Sequence, residues 1–448
     1  MPESPALVRS LGRWTLVALV VNTIIGTSVF VLPGTVGGSL GWMGLVAWIL
    51  AAAFIGTMIL CFAEVASRFS GAGGAYLYTQ VAFGRFAGIQ VGWMTYLVRA
   101  ISAAVQANVF SLYLAEFWPW AATRHGELAI TALFIGLLAV INIGSVRSGA
   151  RTSNVLAVVK LVPLLGFTLL GVFWIATGRT GVAPAASDPS AAGWLNVLLL
   201  LMFAYGGFES ALLPMAEARN PRRDAPFALF LGLGLATLVY LAAQLTVLAT
   251  VPDPGAAGRP LAASARVMLG AGGAAVISVA ALISVFGWLA ANMLTVPRLT
   301  MAMAERGDLP AFLGRVHPKF RTPWISIVLF AALSWVLANQ AGVLQNISLS
   351  AVSRLFIYGL VCAAMPMFRF KEARGDVGVG AAQFRAPLGI WMAVFGVGIS
   401  LVLATRMNQR EAIAMGGTVA LATLHWLKVR GRVTRPEVLV EDVHRVTS

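Results

Sequence analysis

Long apolar stretches alternate with short polar connections along the chain, and the length of those stretches sets the fold class. The hydropathy pattern predicts twelve spans, at 14–37, 41–66, 88–117, 128–145, 154–177, 194–218, 227–251, 272–296, 324–340, 347–368, 387–405 and 412–427. Crossing about 30 Å of hydrocarbon takes roughly 20 predominantly apolar residues. Within a bilayer the backbone must satisfy its own hydrogen bonds, so runs of this kind read as helices. The expected class is an all-α polytopic membrane protein with an even number of spans, whose two termini lie on one side. The pattern divides the chain into an N-terminal segment (1–13), spans 1 to 5 (14–177), spans 6 to 10 (194–368), spans 11 and 12 (387–427) and a tail (428–448).

Composition agrees and adds orientation. Of the 448 residues 59% are hydrophobic and 11% charged, too few charges to clothe a water-soluble surface. A net charge of +15 raises nucleic acid as a partner, but that needs basic residues gathered on one face. Here they sit in short loops. With the N-terminus placed inside, 23 of the 32 Lys and Arg fall in inner segments. Six fall outside, at Arg124, Arg179, Arg259, Arg266, Arg406 and Arg410, and three within spans, at Arg99, Lys160 and Arg354. Because Lys and Arg translocate poorly, both termini are expected in the cytoplasm of a multi-pass plasma (inner) membrane protein. Cys61 and Cys362 lie inside apolar runs, and His125, His317, His425 and His444 in loops or near the C-terminus. That pattern offers no disulfide framework, metal cluster or cofactor motif. The start MPESPALVRSLGRW leads into a long apolar run without an A-x-A-like cleavage signal and reads as a retained first span.

Two spans are interrupted. Span 1 holds Gly26, Thr27 and Ser28 at mid-depth within VNTIIGTSVFVLPG, and span 6 is broken at FAYGGFE, residues 203–209, with Pro214 beyond. Glycine pairs and small polar residues weaken a helix. Freed backbone groups in hydrocarbon are tolerated only where protein, water or a ligand satisfies them. Breaks at the first and sixth spans are the signature of two five-span inverted repeats with a substrate site between them. A half-helix N-terminus suits a carboxylate and a half-helix C-terminus suits an ammonium. An amino acid needs both.

At these residues the chain resembles the amino acid–polyamine–organocation family of transporters. GTSVFVLPG looks like that family's first-helix segment, and FAYGGFES followed by EARNPRRDAP like its sixth helix and next loop. CFAEVASRFSGAGGAYLYTQVAFGRFAGIQVGW is similar to its signature from the second to the third helix. The resemblance covers all twelve spans and implies the leucine-transporter-type fold, a five-plus-five inverted repeat with discontinuous helices 1 and 6, plus two C-terminal helices. It implies substrate-carboxylate contacts at Gly26, Thr27 and Ser28, amine contacts at the carbonyls of Ile24, Phe203 and Gly206, and an aromatic cover at Phe203. Ser28 stands where the family usually has a second glycine, which narrows the site or offers a hydroxyl. It also implies that Lys160 replaces a sodium ion between helices 1, 5 and 8, and that Glu209 matches a glutamate implicated in gating or protonation.

Charges inside spans are costly and are functional candidates. Burial lowers a lysine's pKa and raises a carboxylic acid's, so Lys160 and Glu209 are candidate proton carriers; Glu209 is equally a structural partner for Arg99 or Arg354. Arg99 shares its helix with Trp93, Tyr96, Ala103 and Ala107 at three- and four-residue spacings. Glu64 and Arg68 read as a helix-end pair. The expected pocket of Phe203, Ala103, Ala107, Ser284 and Trp288 is mostly apolar, which favours a neutral amino acid, with acidic, cationic or polyamine substrates as alternatives.

The expected function is a sodium-independent secondary amino acid transporter, working as proton symporter or exchanger by alternating access. No Walker loop, GxSxG elbow or HExxH pair occurs, so neither ATP coupling nor an intramembrane enzyme is indicated. A transporter-like sensor would carry an added soluble domain, and only about 20 residues follow span 12. A channel would show a repeating ring of pore groups. In heavy-chain-linked relatives a cysteine lies between spans 3 and 4; residues 117–127 have none, so no such disulfide-linked partner is expected, and the chain is taken as a monomer or homodimer.

Overall fold

The computed structural model describes residues 12–69, 74–144, 149–179, 186–211, 221–375 and 381–431, with the side chains of 149–161, 211, 221, 222, 225 and 302 outside that description. The described residues are helical with no strand. In order, the helices are α1 (Arg13–Ile24), α2 (Ser28–Leu40), α3 (Gly44–Ala66), α4 (Gly74–Phe83), α5 (Arg85–Leu114), α6 (Arg124–Gly144), α7 (Gly149–Ala176) and α8 (Ala191–Ala204). They continue as α9 (Phe208–Ala211), α10 (Pro221–Thr250), α11 (Pro260–Glu305), α12 (Trp324–Gln340), α13 (Val343–Ala373), α14 (Ile390–Ala404) and α15 (Gln409–Val429). Among the described residues eight stretches are long and apolar enough to cross a membrane, and Arg13–Ile24, Val162–Ala176, Trp324–Gln340 and Ile390–Ala404 are shorter apolar helices. Large apolar side chains face outward, with Leu133 72% and Trp391 74% exposed and Val140, Leu169 and Leu401 similar. Such a surface belongs in hydrocarbon, and the chain is a multi-pass membrane protein.

The interruption read in the first span is present, as two helices parted at residues 25–27. Two stretches read as connections in the sequence are helical. The expected loop between spans 2 and 3 contains α4, ten residues long and too short to register as a span, turned into α5 by Gly84 at φ +92°. Ahead of the expected eighth span at Gly272, the alanine-rich PLAASARVML forms the opening stretch of α11, set off from the rest by a non-helical Gly270 at φ +69°.

Central to the bundle are α5 and α13, buried along most of their length. Around them the near face, where α1 begins, and the far face, where α2 ends, are held differently. At the near face the fully buried Glu64 accepts from the Arg369 guanidinium (2.6 and 2.7 Å) and the Ala386 N–H (2.7 Å). Arg68, 3.6 Å from Glu64, donates to Glu372 at 2.9 Å, and Arg385 donates to Glu372 at 2.8 Å. The Glu64–Arg68 pair is thus part of a network joining α3 to α13. Nearby, Asp308 accepts from Arg85 (2.8 Å) and from the Tyr76 hydroxyl, tying α4 and α5 to the end of α11.

The far face is closed by backbone. A Cβ on Gly38 would stand 2.5 Å from the Gly255 Cα, so α2 meets the segment between α10 and α11 glycine to glycine. The N–H groups of Ser187 and Asp188 donate to the carbonyls of Gly38 and Ser39, each at 3.0 Å. Deeper, the Tyr113 hydroxyl donates to the Phe30 carbonyl at 2.6 Å, its ring edge-on to Phe30.

Candidate functional site

Local backbone chemistry builds both breaks. The Ile25 N–H closes the last turn of α1 onto the Val21 carbonyl at 2.9 Å, and Ile25 then leaves the helix with ψ 95°. The chain re-enters a helix at Ser28. Opening residues of a helix have no carbonyl four positions earlier in that helix, so Ser28 and Val29 present N–H groups at the positive end of the α2 dipole. In the second break the Gly206 N–H tightens onto the Phe203 carbonyl at 3.1 Å, and Gly207 sits at φ +109°, a conformation glycine adopts freely. A Cβ at Gly207 would come within 2.5 Å of the Thr23 carbonyl oxygen. The two breaks therefore touch.

Tyr240 of α10 joins them. Its fully buried hydroxyl lies 2.8 Å from the Ile24 carbonyl, 2.9 Å from the Ala204 carbonyl and 3.2 Å from the Ser28 hydroxyl. One O–H is thus shared between the C-terminal carbonyls of α1 and α8. The ring packs between Trp48 and Tyr205 at 4.6 and 5.3 Å. One turn further along α10, Gln244 accepts from the Trp48 indole at 3.0 Å and donates to the Pro33 carbonyl at 3.1 Å. Sequence reasoning missed Tyr240; a lone tyrosine in the middle of the run ATLVYLAAQL was the available signal. The Ile24 carbonyl, expected to meet a substrate amine, accepts from Tyr240 in this arrangement.

Between the breaks lies a cavity of about 430 Å³, well within the range of small-molecule sites. The structure gathers Ile24, Gly26, Thr27, Ser28, Phe203, Gly206, Ser284, Trp288, Arg99 and Arg354 on its wall. Ala103 and Ala107 are not on it. Both are fully buried, and α5 meets the cavity through Arg99, Ser102 and Gln106, the face about 100° round the helix per residue step. α5 thus contributes polar groups to a lining that is otherwise mostly apolar. The side chain of Lys160 lies outside the described residues.

Glu209 sits just behind the wall, its carboxylate fully engaged. Oε1 is 2.6 Å from Arg354 and 4.0 Å from Arg99, while Oε2 accepts from the Gly207 N–H at 2.8 Å and from the Tyr358 hydroxyl at 2.9 Å. Arg99 also donates to the Ser210 hydroxyl, and Arg354 lies 5.8 Å from the Phe203 ring centre. Of the two expected partners of Glu209, both are present. Four cavity-lining groups are buried without a hydrogen-bond partner among the described residues: the Arg354 Nε–H, the Thr27 hydroxyl, the Gln106 carbonyl and the Asn292 carbonyl. Beyond the breaks the lining continues along Leu19, Asn22 and Thr23 of α1 and Asn292, Thr295, Val296 and Leu299 of α11, so the cavity runs toward the near face. Among the described residues no group of three or more His, Cys, Asp or Glu could hold a metal ion.

Comparison with known proteins adds three likenesses and a family. Residues 11–419 match the family described as amino acid permease. The serine/threonine exchanger SteT of Bacillus subtilis (strain 168) is 29% identical over 416 residues, covering 90% of this chain and 93% of that protein. The methylthioribose transporter of the same organism is 26% identical, with 89% and 88% covered. The large neutral amino acids transporter small subunit 2 of Rattus norvegicus is 28% identical, with 82% and 71% covered.

Proposed function

The chain belongs to the amino acid permease family, and from that premise we propose that it is a sodium-independent secondary transporter moving an amino acid across the plasma (inner) membrane by alternating access. The observation that carries this reading is the 430 Å³ cavity at two touching helix breaks. It brings helix-start N–H groups and helix-end carbonyls into one space, the complement of an α-carboxylate and an α-ammonium. Twelve spans in a five-plus-five inverted repeat plus two, with both termini cytoplasmic, belong to the same proposal. The near face is then cytoplasmic, and the cavity is the inward-facing one.

A neutral side chain is supported by the relatives named for serine, threonine and large neutral amino acids. Arg99 and Arg354 on the wall oppose a cationic amino acid or polyamine. Lys160 takes the place of a coupling sodium ion and, by gaining or losing a proton, links transport to pH in a symporter or stays charged in an exchanger. Arg354 and Arg99 hold Glu209, which makes it a gating and positioning group for the second break. No cofactor or disulfide-linked heavy chain is part of the proposal, and the working unit is a monomer or homodimer.

Counterflow of radiolabelled amino acids in proteoliposomes tests it. We expect accumulation of at least one neutral amino acid without sodium, and loss of accumulation or of its pH dependence in Lys160→Ala and Lys160→Gln. Absence of flux for every amino acid and polyamine would defeat the transporter reading. Wild-type pH dependence in the Lys160 variants would remove the coupling role alone.

A further inference from the structure

We propose that the connection between α11 and α12, residues 306–323, is a binding site for the headgroup of an anionic phospholipid at the near face. α11 ends at Glu305 and α12 begins at Trp324. Between them the chain turns tightly on His317. The His317 N–H donates to the Thr322 carbonyl at 2.8 Å, and the His317 carbonyl accepts from the Arg321 N–H at 2.9 Å. The His317 Nδ1 accepts from the N–H groups of Lys319 and Phe320, each at 3.2 Å. Two hydroxyls fasten this turn to the bundle. Thr322 donates to the Ile143 carbonyl near the end of α6 at 3.0 Å, and Ser326 to the Leu313 carbonyl at 2.8 Å. The groups that the connection exposes are therefore held in place.

Those groups are of two kinds. Phe312, Val316, Phe320 and Trp324, spaced four residues apart, are exposed, and the exposed Val328 and Leu329 continue the apolar surface along α12. Large apolar groups in a polar connection are unfavourable in water. At the end of a lipid-facing helix they belong at the headgroup level, where aromatic side chains gather. Arg315 directly precedes Val316, and Lys319 and Arg321 flank Phe320; all three cations are exposed. None of the three forms an ion pair among the described residues, whereas Arg68, Arg85, Arg369 and Arg385 on the same face each do. Unneutralised charge interleaved with apolar groups is complementary to the phosphodiester of an anionic lipid, and the planar arginine fork fits phosphate oxygens. A soluble phosphate would satisfy the cations and leave the four apolar side chains in water, so the occupant is a lipid.

The test titrates the full-length protein in detergent with phosphatidylglycerol or phosphatidylcholine and reads Tm, which a ligand of the folded state raises. We expect phosphatidylglycerol to reach half its effect at a concentration at least about tenfold below that of phosphatidylcholine. Arg315→Gln, Lys319→Gln and Arg321→Asn should each raise that concentration about fivefold. Asparagine is chosen at 321 because the backbone there has φ +57°, a region that asparagine tolerates. Arg410→Gln removes an exposed cation at the opposite end of α15 from Val429, whose carbonyl Arg85 binds at the near face, and should leave the titration unchanged. Should the loop variants fail to fold, the wild-type titration in rising sodium chloride decides: a preference made by charge shrinks with screening, and one that does not shrink overturns the inference. Equal half-effects for the two lipids, or an equal loss in Arg410→Gln, would overturn it as well. So would stabilisation by inorganic phosphate at the concentrations at which phosphatidylglycerol acts, which would make the occupant a soluble anion.

Discussion

Tyr240 serves two carbonyls with one hydroxyl, and its removal should be felt at both breaks. Tyr240→Phe strands the buried carbonyls of Ile24 and Ala204, at an expected cost of about 1–3 kcal/mol. We expect a lower Tm in detergent together with slower exchange; a wild-type Tm would show that the hydroxyl does not hold the breaks. Glycines 26 and 207 separate two roles that the sequence shows as one. At Gly207 an alanine meets both the positive φ and the Thr23 carbonyl at 2.5 Å, so Gly207→Ala should lower Tm and abolish transport. At Gly26 the nearest atom is 3.9 Å from a built Cβ, so Gly26→Ala should leave Tm near wild type and weaken substrate binding by intruding on the cavity. Equal Tm losses in the two variants would refute this division. The glycines were legible in the sequence because backbone freedom is a property of the residue itself. Tyr240 was not, because its partners are main-chain oxygens 36 and 216 positions away, which no local pattern reports.

Between helices, the near-face network is the joint whose strength depends on pH. Glu372 lies beyond the apolar part of α13, and burial pushes its carboxyl up, but the hydrogen bond and charge of Arg68, reinforced by Arg385, outweigh this and hold it below its ordinary value of 4.5. A carboxylate depressed in the folded state stabilises it fully above the ordinary pKa, and that contribution fades as pH falls from 4.5 toward the lowered folded value. Glu372→Gln should therefore flatten the acid limb of a Tm-against-pH profile and change the neutral limb by a constant offset. Parallel wild-type and variant profiles through the acid range would show that Glu372 titrates alike in both states. The same joint shows where reading by element stops. Glu64 and Arg68, a turn apart, were legible as a pair, yet the closest charge to Glu64 is Arg369, 305 residues on. Apolar length gave the spans, and glycines with small polar residues gave their breaks. It could not set the rotational phase of α5, where Ser102 and Gln106 rather than their neighbours Ala103 and Ala107 meet the cavity.

For the whole molecule, the alternating-access cycle proposed above requires the far face to part when the near face closes. Gly38→Val places a branched side chain where Gly255 now lies, 2.5 Å from a built Cβ, and should hold the far face open. A reporter cysteine at Thr35, on the wall of the 710 Å³ far-face pocket, should then react faster with a membrane-impermeant maleimide, and exchange should slow. Cys61 and Cys362 are buried and leave the reporter legible; an unchanged labelling rate would exclude Gly38 from the seal. That seal has a thermal consequence. Glycine has no rotamers, so bringing Gly38 against Gly255 freezes no side-chain freedom and parting them releases none. A gate of long side chains would order and disorder several torsions in every cycle, and its turnover would vary with temperature through that entropy. In the transport cycle proposed above, the Gly38–Gly255 contact would close and part with its side-chain entropy unchanged, which suits a closure passed through in both directions.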